Sequence, residues 1–300
     1  MILIVGATGI LGGMITQRLL AEGNDVRILL RHNSPSDQLA LQRMATSARS
    51  LIDAGAKPVY GDLKQRASLE AACDDVETVI TTANSAMRGG EDNVDTVDRQ
   101  GNRNLIEAAR AAGVKQFVFI SFLGADLNSP VPLFQAKAET EAMLAKSGMP
   151  YTVLAPNFFI ESWVGMVVGI PLQARQPVTL VGQGQRLHSL ISVGDVAAFA
   201  VAAVGHPAAI NQRLALGGPA PLTWRGIVDT FSQVLGQELP VQFVAPGEPV
   251  PLLPEIVPGV LAAMETYDSP IPMDETARIF GVEQASLTSI VHHMLSNPGA

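Results

Sequence analysis

The chain has 300 residues and a formal net charge of −8, with its lysines and arginines scattered along it rather than gathered into a basic stripe. That length can bury the core of one large α/β domain, or of a nucleotide-binding core with a smaller lobe, and the missing stripe argues against nucleic acid as a partner. Apolar runs such as 117–123 and 196–204 are well short of the roughly 20 residues of a spanning helix, and no basic segment precedes the apolar start, so the sequence predicts a cytoplasmic protein without membrane span or signal peptide.

A strand at 2–5 is followed by a helix at 10–22, a strand at 25–30 and a helix at 36–54. Strands at 58–60 and 78–82 then alternate with helices at 67–72 and 94–112. A strand at 116–121, a helix at 132–147 and a strand at 151–154 complete the series. Gly23, Gly55, Gly113 and Gly148 stand at or just past helix ends, where glycine takes the left-handed cap cheaply. Strict alternation of this kind predicts a doubly wound parallel α/β sheet, a Rossmann core over residues 1–155. After Pro156 the alternation fails and prolines accumulate, so residues 156–300 are expected to form mainly a substrate-binding lobe. The strand-like runs 187–193 and 213–216 are expected to return to the main sheet.

The segment Val5-Gly6-Ala7-Thr8-Gly9-Ile10-Leu11-Gly12-Gly13 joins the first strand to the first helix. One glycine permits the tight turn, a second lets the backbone approach a pyrophosphate, and a third allows close helix–strand packing. The N–H groups of the helix start, from Gly6, Thr8 and Gly9 to Ile10, Leu11 and Gly12, together with the helix dipole, are suited to receive phosphates. At the end of the second strand a carboxylate would hold the ribose of NAD, whereas a cation accommodates the 2′-phosphate of NADP. Arg31 stands there, with no acid before Asp37, and predicts a preference for NADP(H) with NAD(H) possible; the alternative is an exposed arginine at a strand end. His32, Asn33 and Ser34 either add polar contacts or are ordinary loop residues.

The spacing Gly6-x-x-Gly9-x-x-Gly12 resembles that of the short-chain dehydrogenase/reductase superfamily in its atypical and extended branches. The words Gly61-Asp62-Leu63, 120–126, 136–141 and 151–159 resemble more specifically the NmrA-like family of NADPH-dependent quinone oxidoreductases, isoflavone reductase-like enzymes and redox-sensing regulators. The resemblance implies that Asp62 and Leu63 lie beside the adenine, that Thr82, Ala83 and Asn84 line the cofactor groove, and that Asn157 and Phe158, with Phe159, flank the nicotinamide. Asp62 is equally readable as a turn or capping residue, and the two aromatics as core.

The usual catalytic tyrosine of the superfamily stands four residues before a lysine, and here that position is Leu133 before Lys137. Leu133, Lys137, Thr140 and Leu144 share one helix face, so a lysine interrupts a largely apolar stripe. Such an ammonium is either partly desolvated and able to hold the ribose or relay a proton, or solvated and paired with Glu141. Ser121 ends the fifth strand, at the sheet edge where ligands of such folds bind, and is either a second catalytic candidate or a polar strand terminus. His188 reads as structural or solvated. The adjacent His292 and His293 point to different faces, and Cys73 is the sole cysteine, so neither a metal centre nor a disulfide is expected. The pattern predicts a reductase that passes hydride from NADPH to a small acceptor such as a quinone or conjugated carbonyl. The alternative is a non-catalytic NADP(H) sensor acting on a protein partner.

Overall fold

Short runs of aliphatic residues that are buried throughout have to lie inside a sheet covered on both faces. In the computed structural model, which describes residues 1–32, 46–86 and 89–296, β1 (Ile2–Val5), β4 (Thr78–Thr81) and β5 (Gln116–Ile120) are such runs. They occupy the middle of a seven-stranded sheet with β2 (Val26–Leu30), β3 (Lys57–Tyr60), β6 (Tyr151–Pro156) and β8 (Gln212–Leu216), in the order β3-β2-β1-β4-β5-β6-β8. Every pairing from β3 to β6 is parallel. β8 runs in the same sense along β6: the Asn211 N–H donates to the Tyr151 carbonyl at one end, and the Asn157 N–H donates to the Leu216 carbonyl at the other. β1 is followed by β2 on one side and by β4 on the other, so the chain reverses its direction of winding there. In sheets of this kind the crevice for a ligand opens outside the carboxyl ends of those two strands.

The helices of this first series are α1 (Ile10–Ala21), α2 (Ala48–Asp53), α3 (Arg66–Ala72), α4 (Gln100–Ala111) and α5 (Pro132–Lys146). The single helix expected at 36–54 does not form as such: residues 33–45, Asn33 and Ser34 among them, lie outside the described residues, and α2 begins only at Ala48, after Ser47 in extended backbone. The helix expected at 94–112 is not α-helical throughout: Val94–Arg99 is a wider π-helical turn that leads into α4. Asn93 caps it by accepting from the N–H groups of Asp95 and Thr96, and Thr96 answers by accepting from the Asn93 N–H. Within the turn the Asp98 carbonyl accepts from the side chains of Asn102 and Thr140, so side chains take up an acceptor that a regular helix gives to its own backbone.

The chain divides into two compact units, one of Met1–Pro156, Val196–Ala215 and Ile279–Val282, the other of Asn157–Asp195, Leu216–Arg278 and Glu283–Ala300. The first has a core of Leu3, Val5, Leu69, Val79, Leu105, Phe117 and Phe119 between sheet and helices, and it encloses Cys73, whose thiol burial pushes up to about 12. The second contains α6 (Ile160–Val164), α7 (Ile170–Gln173), α9 (Trp224–Leu235), α10 (Ile256–Met264) and α12 (Leu287–Ser296), with β7 (Val178–Val181) and β9 (Val241–Val244) paired in parallel. Its own core gathers Val164, Leu180, Trp224, Phe231, Leu261 and Val291. The run 187–193 does not form a strand of the main sheet. His188 makes isolated bridges to Leu222 and Ser269, Ile191 bridges Phe159, and Val193 opens α8 (Val193–Ala202). No helix among the described residues is long and apolar enough to cross a membrane.

One buried polar side chain ties α8 to the sheet. Gln116, 3% exposed, donates through Nε2 to the Thr152 hydroxyl and the Ala203 carbonyl, and its Oε1 accepts from the Gly205 N–H at 2.8 Å. Replacing Gln116 by Leu keeps the volume roughly and leaves a buried donor and acceptor unmet, so urea unfolding should show a loss of about 1–3 kcal/mol. An unchanged midpoint and slope would mean that these bonds contribute nothing net.

Candidate functional site

The turn after β1 is shaped by two glycines for internal reasons. Gly6 has φ +89°, and a Cβ there would lie 2.6 Å from the Thr82 hydroxyl and 2.9 Å from the Ala83 nitrogen. A Cβ on Gly12 would collide with the Gly6 carbonyl, which already accepts from the Gly9 N–H at 3.0 Å and the Thr82 hydroxyl at 3.2 Å. Gly9 differs: its φ of −72° suits any residue, and a Cβ would meet only the Gly6 oxygen, at 3.3 Å. Gly9 and half-exposed Ile10 are on the solvent side of the helix start, while Leu11 is buried. No side chain caps α1 and no acid stands in its first turn, so the N–H groups there have no protein acceptor of the capping kind. A cradle without side chains, rimmed by free donors, fits a phosphate group.

From this turn a cleft runs along the carboxyl ends of β1, β2 and β4. It is lined by Gly6, Thr8, Arg31, Asp62, Leu63, Ala83, Asn84 and Asp92, among others. Five of the residues singled out from the sequence, Arg31, Asp62, Leu63, Ala83 and Asn84, are thus brought together with the glycine turn, and Thr82 supports the turn from below. Asp62 makes a local turn, its carboxylate accepting from the Lys64 N–H at 2.8 Å, and it is not a helix cap, since Gln65 precedes α3. Leu63 is buried, and its carbonyl accepts from Asn104.

Arg31 is not an isolated cation. Its Nη1 lies 2.5 Å from Asp92 Oδ2, while Lys64 Nζ donates to Asp92 Oδ1 at 2.9 Å. Burial raises the Asp92 carboxyl, but the hydrogen bonds and charges of Lys64 and Arg31 outweigh it and bring the group to about 2. The Lys64 ammonium is raised in return, chiefly by its bond to Asp92. Neither Lys64 nor Asp92 stood out in the sequence. Lys64 directly follows Asp62-Leu63 and was visible as a neighbour, whereas the approach of Asp92 across the sheet edge is a tertiary event.

At the end of β5 lie the two candidates for chemistry. Lys137 Nζ donates to the Ile120 carbonyl at 2.9 Å and sits 5.1 Å from the centre of the Phe119 ring. Desolvation lowers its pKa from 10.5 to about 8, against the opposing charges of Asp98 and Glu141. A solvated pair with Glu141 is not what forms: that carboxylate accepts from the Ser121 hydroxyl and, at 2.8 Å, from Arg213 Nε. Arg213, on β8, also donates to the Phe122 and Leu123 carbonyls and so fastens the loop after β5. Ser121 is 4% exposed and engaged with Glu141.

Asn157 and Phe158 belong to the second unit. The buried Asn157 amide donates to the Ser269 hydroxyl at 3.1 Å and accepts from the Phe158 N–H at 2.9 Å, and Phe158 packs edge-on against Trp163. His188, 2% exposed, completes this chain. Its Nε2 faces the Met264 carbonyl at 3.1 Å and so must donate, which leaves Nδ1 to accept from Ser269 at 2.8 Å. Burial lowers its pKa and keeps it neutral, and the ring is thereby committed to holding the backbone.

The model of the NmrA-like family matches residues 1–289. A photosystem II assembly factor of Cyanophora paradoxa is 27% identical, over 98% of this chain and 90% of its own. An NAD(P)H azoreductase of Xenophilus azovorans is 32% identical, over 82% of this chain and 77% of its own. Among solved structures, the Escherichia coli NADPH-dependent quinone oxidoreductase complexed with NADPH superimposes with a TM-score of 0.75 at 23% identity, covering 98% of this chain and all of that one.

The Lys137 shift has a thermodynamic signature. Between about pH 8 and 10.5 the unfolded chain binds more protons than the folded one, so stability gains with rising pH across that window, and the full penalty of the buried ammonium applies below it. Relative to Lys137→Met, which loses the Ile120 hydrogen bond at every pH, the native protein should therefore become more stable from pH 8 to 10.5. Urea titrations of both proteins across that range check this; a pH-independent difference contradicts it.

Proposed function

Since this chain belongs to the NmrA-like family, we propose that it is an NADP(H)-dependent reductase of small conjugated acceptors, such as quinones or conjugated carbonyls. The observation that carries this reading is the desolvated Lys137 at the end of β5, on the same carboxyl edge as the glycine turn after β1. From β2, which Arg31 follows, to β5, whose last carbonyl the Lys137 ammonium reaches from α5, the edge crosses three strand spacings, about 14 Å. One end of that row is suited to a phosphate and the other to a proton.

Gly6, Thr8, Gly9, Ile10, Leu11 and Gly12 would form the cradle for the pyrophosphate, Gly9 by leaving room, since its N–H is given to the Gly6 carbonyl, and the helix start by its backbone N–H groups. Arg31 would face the 2′-phosphate, with Asp62 and Leu63 beside the adenine and Thr82, Ala83 and Asn84 along the groove. Lys137 would hold the nicotinamide ribose, and Asn157 and Phe158 would flank the ring. NADPH, when bound, supplies a hydride. An acceptor that takes it would gain negative charge on a conjugated oxygen, and the Lys137 ammonium would stabilise that charge or protonate it. The position of the usual tyrosine acid is held by Leu133, which agrees with an acceptor that requires hydride more than a strong acid. Ser121 would act through Glu141 and the loop after β5 as a positioning residue.

The azoreductase relative supports a reductase. The similarity to the assembly factor over nearly the whole chain favours a second reading, a non-catalytic NADP(H)-binding protein that acts on a protein partner. NADPH oxidation against a panel of quinones and enones, with cofactor binding followed separately by fluorescence, separates the two. Turnover of any acceptor supports the reductase, and tight binding without turnover supports the second reading.

Two further outcomes are expected. Gly9→Val, whose φ of −72° suits a side chain and whose Cβ needs the Gly6 carbonyl to give by a few tenths of an ångström, should keep the fold, with thermal unfolding as the control, yet lose dinucleotide binding. Undiminished affinity in that variant would remove the glycine turn from the site. For the chemistry, single-turnover reduction at saturating NADPH should slow as pH rises through about 8, where Lys137 gives up its proton. Lys137→Met should be slower by about 10²–10⁴ and should lose that pH dependence. A stable variant with the native rate and profile would make Lys137 a bystander.

A further inference from the structure

Arg31 and Lys64 already hold an anion. Both oxygens of the Asp92 carboxylate are used, Oδ2 by Arg31 at 2.5 Å and Oδ1 by Lys64 at 2.9 Å, and the carboxylate is 16% exposed at the mouth of the cleft. The two cations stand on fixed supports. Arg31 directly follows β2, and Lys64 sits in a turn closed by its own N–H to Asp62. Asp92 is differently placed. It lies in the irregular stretch ahead of the π-helical turn, held on its backbone by a 3.3 Å bond from its N–H to the Gly89 carbonyl, beside a fully exposed Glu91. Of the three groups, the acid is the one carried by irregular backbone rather than by a strand end or a closed turn.

We propose that Asp92 is an internal stand-in for the 2′-phosphate of NADP(H): it occupies Arg31 and Lys64 until the phosphate displaces it, and so sets how strongly the protein distinguishes NADP(H) from NAD(H). The inference rests on the reading of the cleft as a dinucleotide site. A phosphate monoester offers three oxygens and nearly two negative charges, against two oxygens and one charge for the carboxylate, so it can displace Asp92 from both cations. The displacement consumes part of the gain. Arg31 alone would overstate the preference, because Asp92, Asp62 and Glu91 all lie within 4 Å of Lys64 and Asp92 is shared with Arg31, so neither cation is unopposed. NAD(H) has no group that competes for these cations, and its affinity is indifferent to Asp92. Lys64 becomes the second phosphate ligand, beside Arg31.

The test is titration of the full chain with NADPH, NADH, 2′,5′-ADP and 5′-AMP, for the native protein, Asp92→Asn and Asp92→Ser, with thermal unfolding as the control on the fold. Removing the carboxylate should tighten NADPH and 2′,5′-ADP about tenfold and leave NADH and 5′-AMP within about twofold, since one charge-assisted contact is being freed. Adding Lys64→Met to Asp92→Asn should take most of that gain back. Native binding of both dinucleotides with an unchanged ratio in Asp92→Asn and Asp92→Ser overturns this inference alone. Weaker NADH binding in those variants also overturns it, because Asp92 would then be a ribose ligand. If the native protein binds neither dinucleotide, the cofactor reading itself falls, and this inference with it.

Discussion

The tightest constraint in the structure is the closeness of α1 to the end of β1, where the Gly12 backbone lies against the Gly6 carbonyl with no room for a Cβ. Several features go with that contact. It brings the helix start to the strand end, beside the left-handed backbone at Gly6, and it leaves the Gly6 carbonyl in reach of Gly9 and of Thr82, just past β4. One carbonyl thus links strand, helix and the neighbouring strand at the point where the winding reverses. The glycines at 6 and 12 answer to packing. Gly9 is the one whose missing side chain the protein itself does not require, and it faces outward.

Much of this was legible in the sequence because it is local. Strand 2–5, the glycine turn and the helix after it follow from patterns within twenty residues, and the alternation to residue 154 specifies a parallel sheet. Lys137 was visible as a charge in an apolar stripe, and desolvation does act on it. What was hidden depends on groups far apart in the chain. Asp92 reaches Arg31 from 61 residues away, and Arg213 takes Glu141 away from Lys137 from 72 residues away. The π-helical turn was hidden for a related reason: its Asp98 carbonyl is claimed in part by Thr140, 42 residues on, and no pattern within 94–112 announces that. The run 187–193 looked like a strand by composition, but His188, Ser269 and Asn157 hold it in a side-chain network instead.

The polar groups divide by what they do. Gln116, Asn157, Ser269 and His188 spend their hydrogen bonds inside the protein, satisfying backbone or one another, which is the usual price of burying such groups. Along the carboxyl edge the pattern changes. The helix start has uncapped donors, a lysine is kept short of solvent, and two cations share one acid. Groups whose interactions are incomplete or exchangeable are concentrated there.

The sheet order also bears on how the chain is made. β6 is finished by residue 156, yet the strand that covers its outer edge, β8, ends only at Leu216. Synthesis at about 5–20 residues per second leaves that edge bare for roughly 3–12 s on every ribosome. During that interval β6, buried along nearly its whole length in the finished protein, presents unpaired backbone to any strand that comes near. Neighbouring nascent chains on one message carry the same edge, and pairing between them is the error this topology invites. Chaperone protection in the cell is therefore needed most between residues 156 and 216, before the protein has a complete sheet to defend.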